Sequence, residues 1–347
     1  MRNTPAQKHL HSRVTLSARR KLYVAIVAAT QLMAQQAWAG PEGGQVVGGA
    51  GSIDQAGTET IIHQHTQRMA LDWQSFDVKA NERVQFIQPN SSAVALNRVL
   101  SNKGSEILGR IDANGQVFLV NPNGVFFGKD SHINVGGMLA SGLSIDPTEF
   151  MNGNFTLNSL EGAEGKVINS GIINAATGGS VTLLGKEIIN EGLIVANLGA
   201  VNIAAGKQAV VTFDGAGLMG VKVTEAVLQN ELGVDAAVIN NGEIRAEAGR
   251  ILLTASTSQD IFNQAVNHNG MNASTSVVVN EDGSFTLGQG ANIVNTGTLN
   301  TSSTQGDGGQ IVALANKITN SGIILADSQT AQAGDIELQE NYWQLAA

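Results

Sequence analysis

The sequence predicts an all-β chain wound as a right-handed parallel β-helix, a solenoid. Three observations predict it. An Asn-x-Gly phrase, followed two positions later by Ile or Leu, returns along the second half of the chain. Short runs rich in Val and Ile alternate apolar with polar residues, the period of a half-buried strand. The 41 glycines follow no three-residue period, which points to turns rather than to collagen. No long stretch with a 3.6-residue period follows residue 40, so a helical fold is disfavoured. A β-sandwich is the runner-up, with its many short strands and Gly-rich turns.

Residues 1–39 come first and stand apart from the fold. They hold six basic residues, Arg2, Lys8, Arg13, Arg19, Arg20 and Lys21, and no acidic one. An apolar run from Leu22 to Met33 follows, then Ala37-Trp38-Ala39 before Gly40. That order predicts a signal peptide cleaved between Ala39 and Gly40. The run is too short to cross a bilayer as a helix. A single β-helical domain is expected over 40–347, with a cap and signature region over 40–165 and repeat coils over 166–347.

Loss of the leader leaves 20 − 6 = 14 basic residues against 29 acidic ones, a net charge of −15. Such a chain is a poor partner for DNA, RNA or an anionic membrane surface, so no nucleic acid is expected. The chain has no Cys, which excludes thiolate metal sites, cysteine nucleophiles and disulfide scaffolds. It also suits a polypeptide that must cross membranes unfolded, since an early disulfide would trap it.

Within 40–165, Gly104 to Gly128 is expected to be a hairpin turning at Asp112-Ala113-Asn114-Gly115. It would lie outside the coil near the N-terminal cap and shield the open start of the solenoid. A second extra-helical hairpin is expected mid-chain, over Ser276 to Leu287. The repeats begin at Gly165. Val167-Ile168-Asn169-Ser170-Gly171 is followed by phrases carrying Asn190, Asn240, Asn295 and Asn320, at intervals of 21, 50, 55 and 25 residues. These are single and doubled periods of a coil with inserted loops. Gly178 to Gly192 and Gly308 to Gly322 match with identical internal spacing, offset by 130. About 10–12 coils of roughly 20–25 residues are expected. Asn and Gly at the corners suggest left-handed backbone there, and stacked Asn side chains suggest an amide ladder down the rod.

Asn81 to Leu143 resembles the secretion domain of two-partner-secretion exoproteins, the filamentous haemagglutinin-like family. The resemblance rests on Val84-Gln85-Phe86-Ile87-Gln88-Pro89-Asn90, Ala95-Leu96-Asn97-Arg98-Val99, Gly115 to Gly128 with its Asn121-Pro122-Asn123-Gly124 turn, and Ile133 to Ser141. It implies a chain secreted through the periplasm to the cell surface or medium by a dedicated outer-membrane transporter, which pairs POTRA domains with a β-barrel. Strand addition to a POTRA sheet edge is the expected mode, with Gln116–Val120 as the candidate strand. Adhesion or haemagglutination is the expected activity, with a host-cell or matrix receptor as a further partner, and a monomer is expected. Many members are far longer, so a truncated exoprotein competent only for export is an alternative.

Asn121, Pro122, Asn123 and Gly124 read either as a structural turn, Pro presetting φ and Gly freeing the last position, or as a transporter contact. Gln88, Pro89, Asn97 and Arg98 read as a transporter contact or a buried polar cap, with Asp112 as a possible partner for Arg98. Asn169, Asn190, Asn240, Asn295 and Asn320 are the repeat corners. His63 and His65 lack a third ligand at a known spacing and read as a solvated strand, so no metal is expected. Gly306-Asp307-Gly308-Gly309 occurs singly and reads as a corner loop. A polysaccharide-degrading enzyme is the rival class for a β-helix. No acid/base cluster, nucleophile elbow or phosphate loop is present, so no catalytic residue and no cofactor are assigned.

Overall fold

The computed structural model describes residues 40–228, 232–257, 277–279, 285–287 and 290–340. The predicted leader, residues 1–39, lies outside these, as does Ala39 of the predicted cleavage site. The chain coils through three parallel sheets. The first sheet runs from Gln45–Gly48 and Arg68–Trp73 to Asp335–Glu340, the second from Gly51–Ala56 and Glu59–Gln64 to Ile323–Leu325, and the third from Ser105–Ile107 to Ile318–Asn320. The first and second are each ten-stranded, and the third has seven strands. One full coil is Ile172–Ala175 on the second sheet, Ser180–Gly185 on the first and Glu187–Asn190 on the third.

The opening strand of each long sheet is antiparallel to the next, so ten strands leave nine coils among the described residues. This is fewer than the expected 10–12, because the chain leaves the coil between Ser141 and Lys166, Ala205 and Val238, and Thr254 and Ile293. Long loops cost little extra entropy, so a solenoid tolerates such departures.

Repeats put like residues on like rungs. Ile133, Ile173, Ile194, Ile244, Leu299 and Ile324 follow one another in register on the second sheet, facing inward. Ser180, Ala200, Arg250 and Gln310 share a position on the first sheet, so the two segments offset by 130 are three rungs apart. The inner core is continuous along the coil, with Trp73, Phe76, Phe86 and Phe127 in the first coils and mainly Val, Ile, Leu and Ala later.

A second core lies on the outer face of the first sheet. Four antiparallel strands, Ser144–Ile145, Thr156–Asn158, Gln208–Phe213 and Met219–Glu225, form an extra-helical sheet. With the short helix Pro147–Asn152 they cover Leu96, Phe118, Val120, Leu139 and Leu184. Asp146 caps that helix by accepting from the amides of Thr148 and Glu149, and Gly153 ends it at φ 90°. Phe118 meets Phe150, Phe155 and Phe213 at ring-centroid distances of 6.0, 6.1 and 6.4 Å.

Two expectations are corrected. Gly104 to Gly128 is not a hairpin. Arg110–Ala113 joins the second sheet, Gln116–Val120 the first and Val125–Phe127 the third, each parallel to its neighbours. Asn114-Gly115 is a corner that hands the chain from one sheet to the next. The start of the coil is closed instead by Gln45–Gly48 and Gly51–Ala56.

The glycines of the Asn-x-Gly column are also not there for left-handed backbone, unlike Gly124 and Gly178 at other corners, which have φ of 110° and 76°. Neither Gly192 nor the five corner Asn has a positive φ. A Cβ on Gly192 would collide with the carbonyl oxygen of Gly171 one rung away, and the same relation recurs down that column at Gly242, Gly297 and Gly322. Close stacking of successive backbones excludes a side chain. The mid-chain hairpin is an antiparallel pair, Val277–Val279 with Phe285–Leu287; its turn lies outside the described residues.

Candidate transporter-recognition region

The signature turn connects the first sheet to the third. Asn121 is fully buried, and its side chain organises the turn from inside. Its Nδ2 donates to the Lys103 carbonyl at 2.9 Å and to Ser105 Oγ at 3.0 Å, while its Oδ1 accepts from the Asn123 amide at 3.0 Å. The Gly124 amide closes the turn on the Asn121 carbonyl at 2.9 Å, with Gly124 at φ 110°. Pro122 is buried, and its carbonyl accepts from the Gly165 amide of the next coil at 2.9 Å. Asn123 reaches back to the Ser101 carbonyl at 2.9 Å. The tetrapeptide therefore ties three successive coils together.

Gln88 occupies a different corner, between the second and first sheets. Its Nε2 donates to Gln64 Oε1 and the Ala93 carbonyl, each at 3.0 Å, and to the Gln116 carbonyl at 3.1 Å. Its Oε1 accepts from the Gly115 amide at 2.9 Å. Gln64, buried alongside, donates to three further carbonyls, of Thr66, Gln67 and Val94. Pro89, next in sequence, is exposed.

Asn97 and Arg98 are adjacent and point to opposite faces of one strand, as alternation requires. Asn97 is inside, fully buried, and accepts from the Trp73 indole at 3.0 Å. Arg98 is outside, with both Nε and Nη2 on the carboxylate of Asp72 at 2.8 Å. Asp72 is its register partner on the neighbouring rung. The suggested partner Asp112 is on the second sheet, out of reach, where it binds Arg83 at 2.7 Å and Arg110 at 2.6 Å. Burial pushes the Asp112 carboxyl up, but hydrogen bonds and charge from Arg110 and Arg83 outweigh it and hold the group below its ordinary value of 3.8.

The five corner asparagines form one column on the third sheet. Asn169 Nδ2 donates to Asn190 Oδ1 at 2.8 Å, Asn190 to Asn240 at 2.8 Å, Asn240 to Asn295 at 2.7 Å and Asn295 to Asn320 at 2.7 Å. The ladder is buried except at Asn320. Above Asn169 the same position is held by Phe127 and then Ile107. Asp72, Gln64 and Trp73 escaped the sequence reading. The available signal was a spacing of one rung, 26 residues from Asp72 to Arg98 and 24 from Gln64 to Gln88, whereas Trp73 reaches Asn97 diagonally, its register partner being Val99.

The candidate strand Gln116–Val120 is enclosed on both faces and both edges. All five residues are buried, Val117 and Leu119 in the inner core and Phe118 and Val120 in the outer one. Both of its edges are paired, with Val94–Val99 and Gly137–Ser141. No group of three or more His, Cys, Asp or Glu side chains suited to a metal occurs among the described residues.

Residues 37–301 match the family described as the TPS secretion domain, TPS standing for two-partner secretion. The chain belongs to that family. Among solved structures it is similar to the HMW1 secretion domain from Haemophilus influenzae, at 29% identity and a TM-score of 0.67, over 86% of this chain and 72% of that one. That likeness agrees with the β-helical fold. Two curated relatives are heme/hemopexin-binding proteins of Haemophilus influenzae. One is 36% identical over 223 residues, covering 62% of this chain and 23% of its own length. The other is 40% identical over 102 residues, covering 29% and 11%. The chain thus spans less than a quarter of the length of the curated relatives it matches.

Proposed function

We propose that this secretion domain directs an exoprotein across the periplasm to an outer-membrane transporter, whose POTRA domains read it before it coils. Folding follows at the cell surface or in the medium. The observation that carries the reading is the enclosure of Gln116–Val120. Strand addition needs a free backbone edge, and this strand has none once the coil forms. The same holds for Asn121, Pro122, Gln88 and Asn97, whose polar groups are turned inward. In this reading they serve the fold that the transporter's client reaches afterwards, and in the unfolded chain they are free for contact.

The test is a binding assay between purified POTRA domains of the cognate transporter and two forms of the chain. A chain held unfolded in mild urea, or by Phe118→Asp in the outer core, should be captured. The folded chain should not. Equal capture of the folded chain would sink the proposal. The chain acts without catalysis in this reading, and the whole exoprotein is an adhesin or haemagglutinin working as a monomer on a host-cell or matrix receptor. A second reading has one observation in its favour, the 36% identity to a protein named for heme and hemopexin binding. It gives the whole exoprotein a haem or hemopexin ligand instead, and a haem titration followed by Soret absorbance separates the two.

A further inference from the structure

The departures from the coil share one corner. The chain leaves from the first sheet and returns on the third each time, from Ser141 to Lys166, from Ala205 to Val238 and from Thr254 to Ile293. Insertions in solenoids map to loops on one face, often the binding face. At the N-terminal end of that corner lies a cleft of about 400 Å³, walled on one side by Asn123 and Gly124 of the signature turn. Its floor is apolar. Phe126 and Ile168 stand outward in register, half-buried, and continue down the third sheet into Ile189, Ile239 and Val294. Its rim is acidic. Asp77, Glu106 and Glu164 line it, and the latter two are exposed without an ion-pair partner among the described residues. Of the two lysines present, Lys166 is already held by Glu187 at 2.9 Å, which leaves Lys103 alone against three carboxylates.

We infer that this cleft, in the folded secreted chain, docks a basic amphipathic peptide segment of a partner protein. Apolar side chains of the segment lie on Phe126 and Ile168, and its Lys or Arg groups meet Glu106 and Glu164. Charge complementarity selects the occupant. An acidic or purely apolar segment would leave the rim carboxylates desolvated without a counter-charge. A surface formed only after coiling is independent of the transporter, so this inference stands or falls apart from the export reading.

The test uses the folded chain with the acetylated, amidated pentapeptide KFKFK as probe, with binding followed by fluorescence anisotropy of a labelled copy. EFEFE and KSKSK serve as comparison peptides. KFKFK should bind, more weakly as salt rises. The double variant Glu106→Gln/Glu164→Gln should weaken it by about tenfold. The remote pair Asp335→Asn/Glu337→Gln, which removes the same charge from the last coil, should leave it unchanged. Both double variants alter exposed side chains, and an unchanged melting curve confirms folding. Phe126→Ser should also weaken KFKFK while leaving the weak binding of KSKSK as it was. Equal loss in the two double variants would reduce the effect to adsorption on an acidic surface and overturn the inference. So would equal binding of KSKSK and KFKFK, or no binding of KFKFK.

Discussion

Replacing Asn240 with Leu probes what holds the coils in register. Asn240 is 1% exposed and sits mid-ladder, accepting from Asn190 at 2.8 Å and donating to Asn295 at 2.7 Å. The substitution strands the Asn190 amide, whose remaining contact is the Gly192 carbonyl at 3.4 Å, and leaves Asn295 Oδ1 without its donor. Each orphaned buried group costs about 1–3 kcal/mol. Added apolar burial of the Leu side chain offsets part of this, so a net loss of about 2–4 kcal/mol is expected. Asn320 ends the ladder, is exposed and accepts a single bond from Asn295. Asn320→Leu strands only the Asn295 amide, at the water-exposed end of the ladder, and should cost about 1 kcal/mol, less than the mid-ladder change. Urea unfolding followed by far-UV circular dichroism measures both through the midpoint, provided the slope stays constant. Equal shifts for the two variants, or an unchanged midpoint for Asn240→Leu, would refute the claim that the ladder is a set of satisfied buried amides.

Other perturbations test the rest of the packing. Gly192→Ala should destabilise by about 1–3 kcal/mol or more, because its Cβ meets the Gly171 carbonyl. Leu198, exposed at φ 53°, sits in left-handed backbone that costs a non-glycine residue about 1–2 kcal/mol, so Leu198→Gly should be neutral or mildly stabilising in the same assay. Phe118→Ala should cost about 3–5 kcal/mol and speed amide exchange in the extra-helical strands it supports. Asp112 has a depressed carboxyl, so its contribution is present above its unfolded value and fades as pH falls through the lower folded one. The stability gap between the native chain and Asp112→Asn should accordingly be full at neutral pH and shrink in acid; a gap independent of pH would contradict the Arg83–Asp112–Arg110 assignment.

The coil was legible because each rung repeats its neighbour's demands. Asn at the ladder, Gly where backbones touch and Ile or Leu two positions on recur at one place per coil, and a period shows through. The physical cause of the glycines was not legible, since a residue chosen for close approach and one chosen for φ are the same letter. Gly104 to Gly128 failed for a related reason. Apolar runs flanking Asn114-Gly115 and Asn121-Pro122-Asn123-Gly124 signal a change of direction, but the local sequence does not distinguish a reversal from a coil corner. The extra-helical sheet joins Thr156–Asn158 to Gln208–Phe213, about 50 residues away in the chain, and nothing local announces that pairing. One trace was present. Val117-Phe118-Leu119-Val120 does not alternate, as expected for a strand buried on both faces. At the candidate site the turn was legible from Pro and Gly, while the Arg98 partner was not, because inward and outward faces become distinct only once Asn97 is placed inside.

In the proposed reading export precedes coiling, and one locking experiment addresses that order directly. Glu243 and Thr298 are register partners on adjacent rungs of the second sheet, 55 residues apart in sequence. The chain contains no Cys, so Glu243→Cys/Thr298→Cys introduces a single possible disulfide that closes only when the coil is formed. The measurement is the secreted fraction with and without a reductant in the medium. The oxidised double variant should be held in the periplasm, reductant should release it, and each single variant should be secreted normally. Secretion of the oxidised, locked coil at the native level would contradict that order.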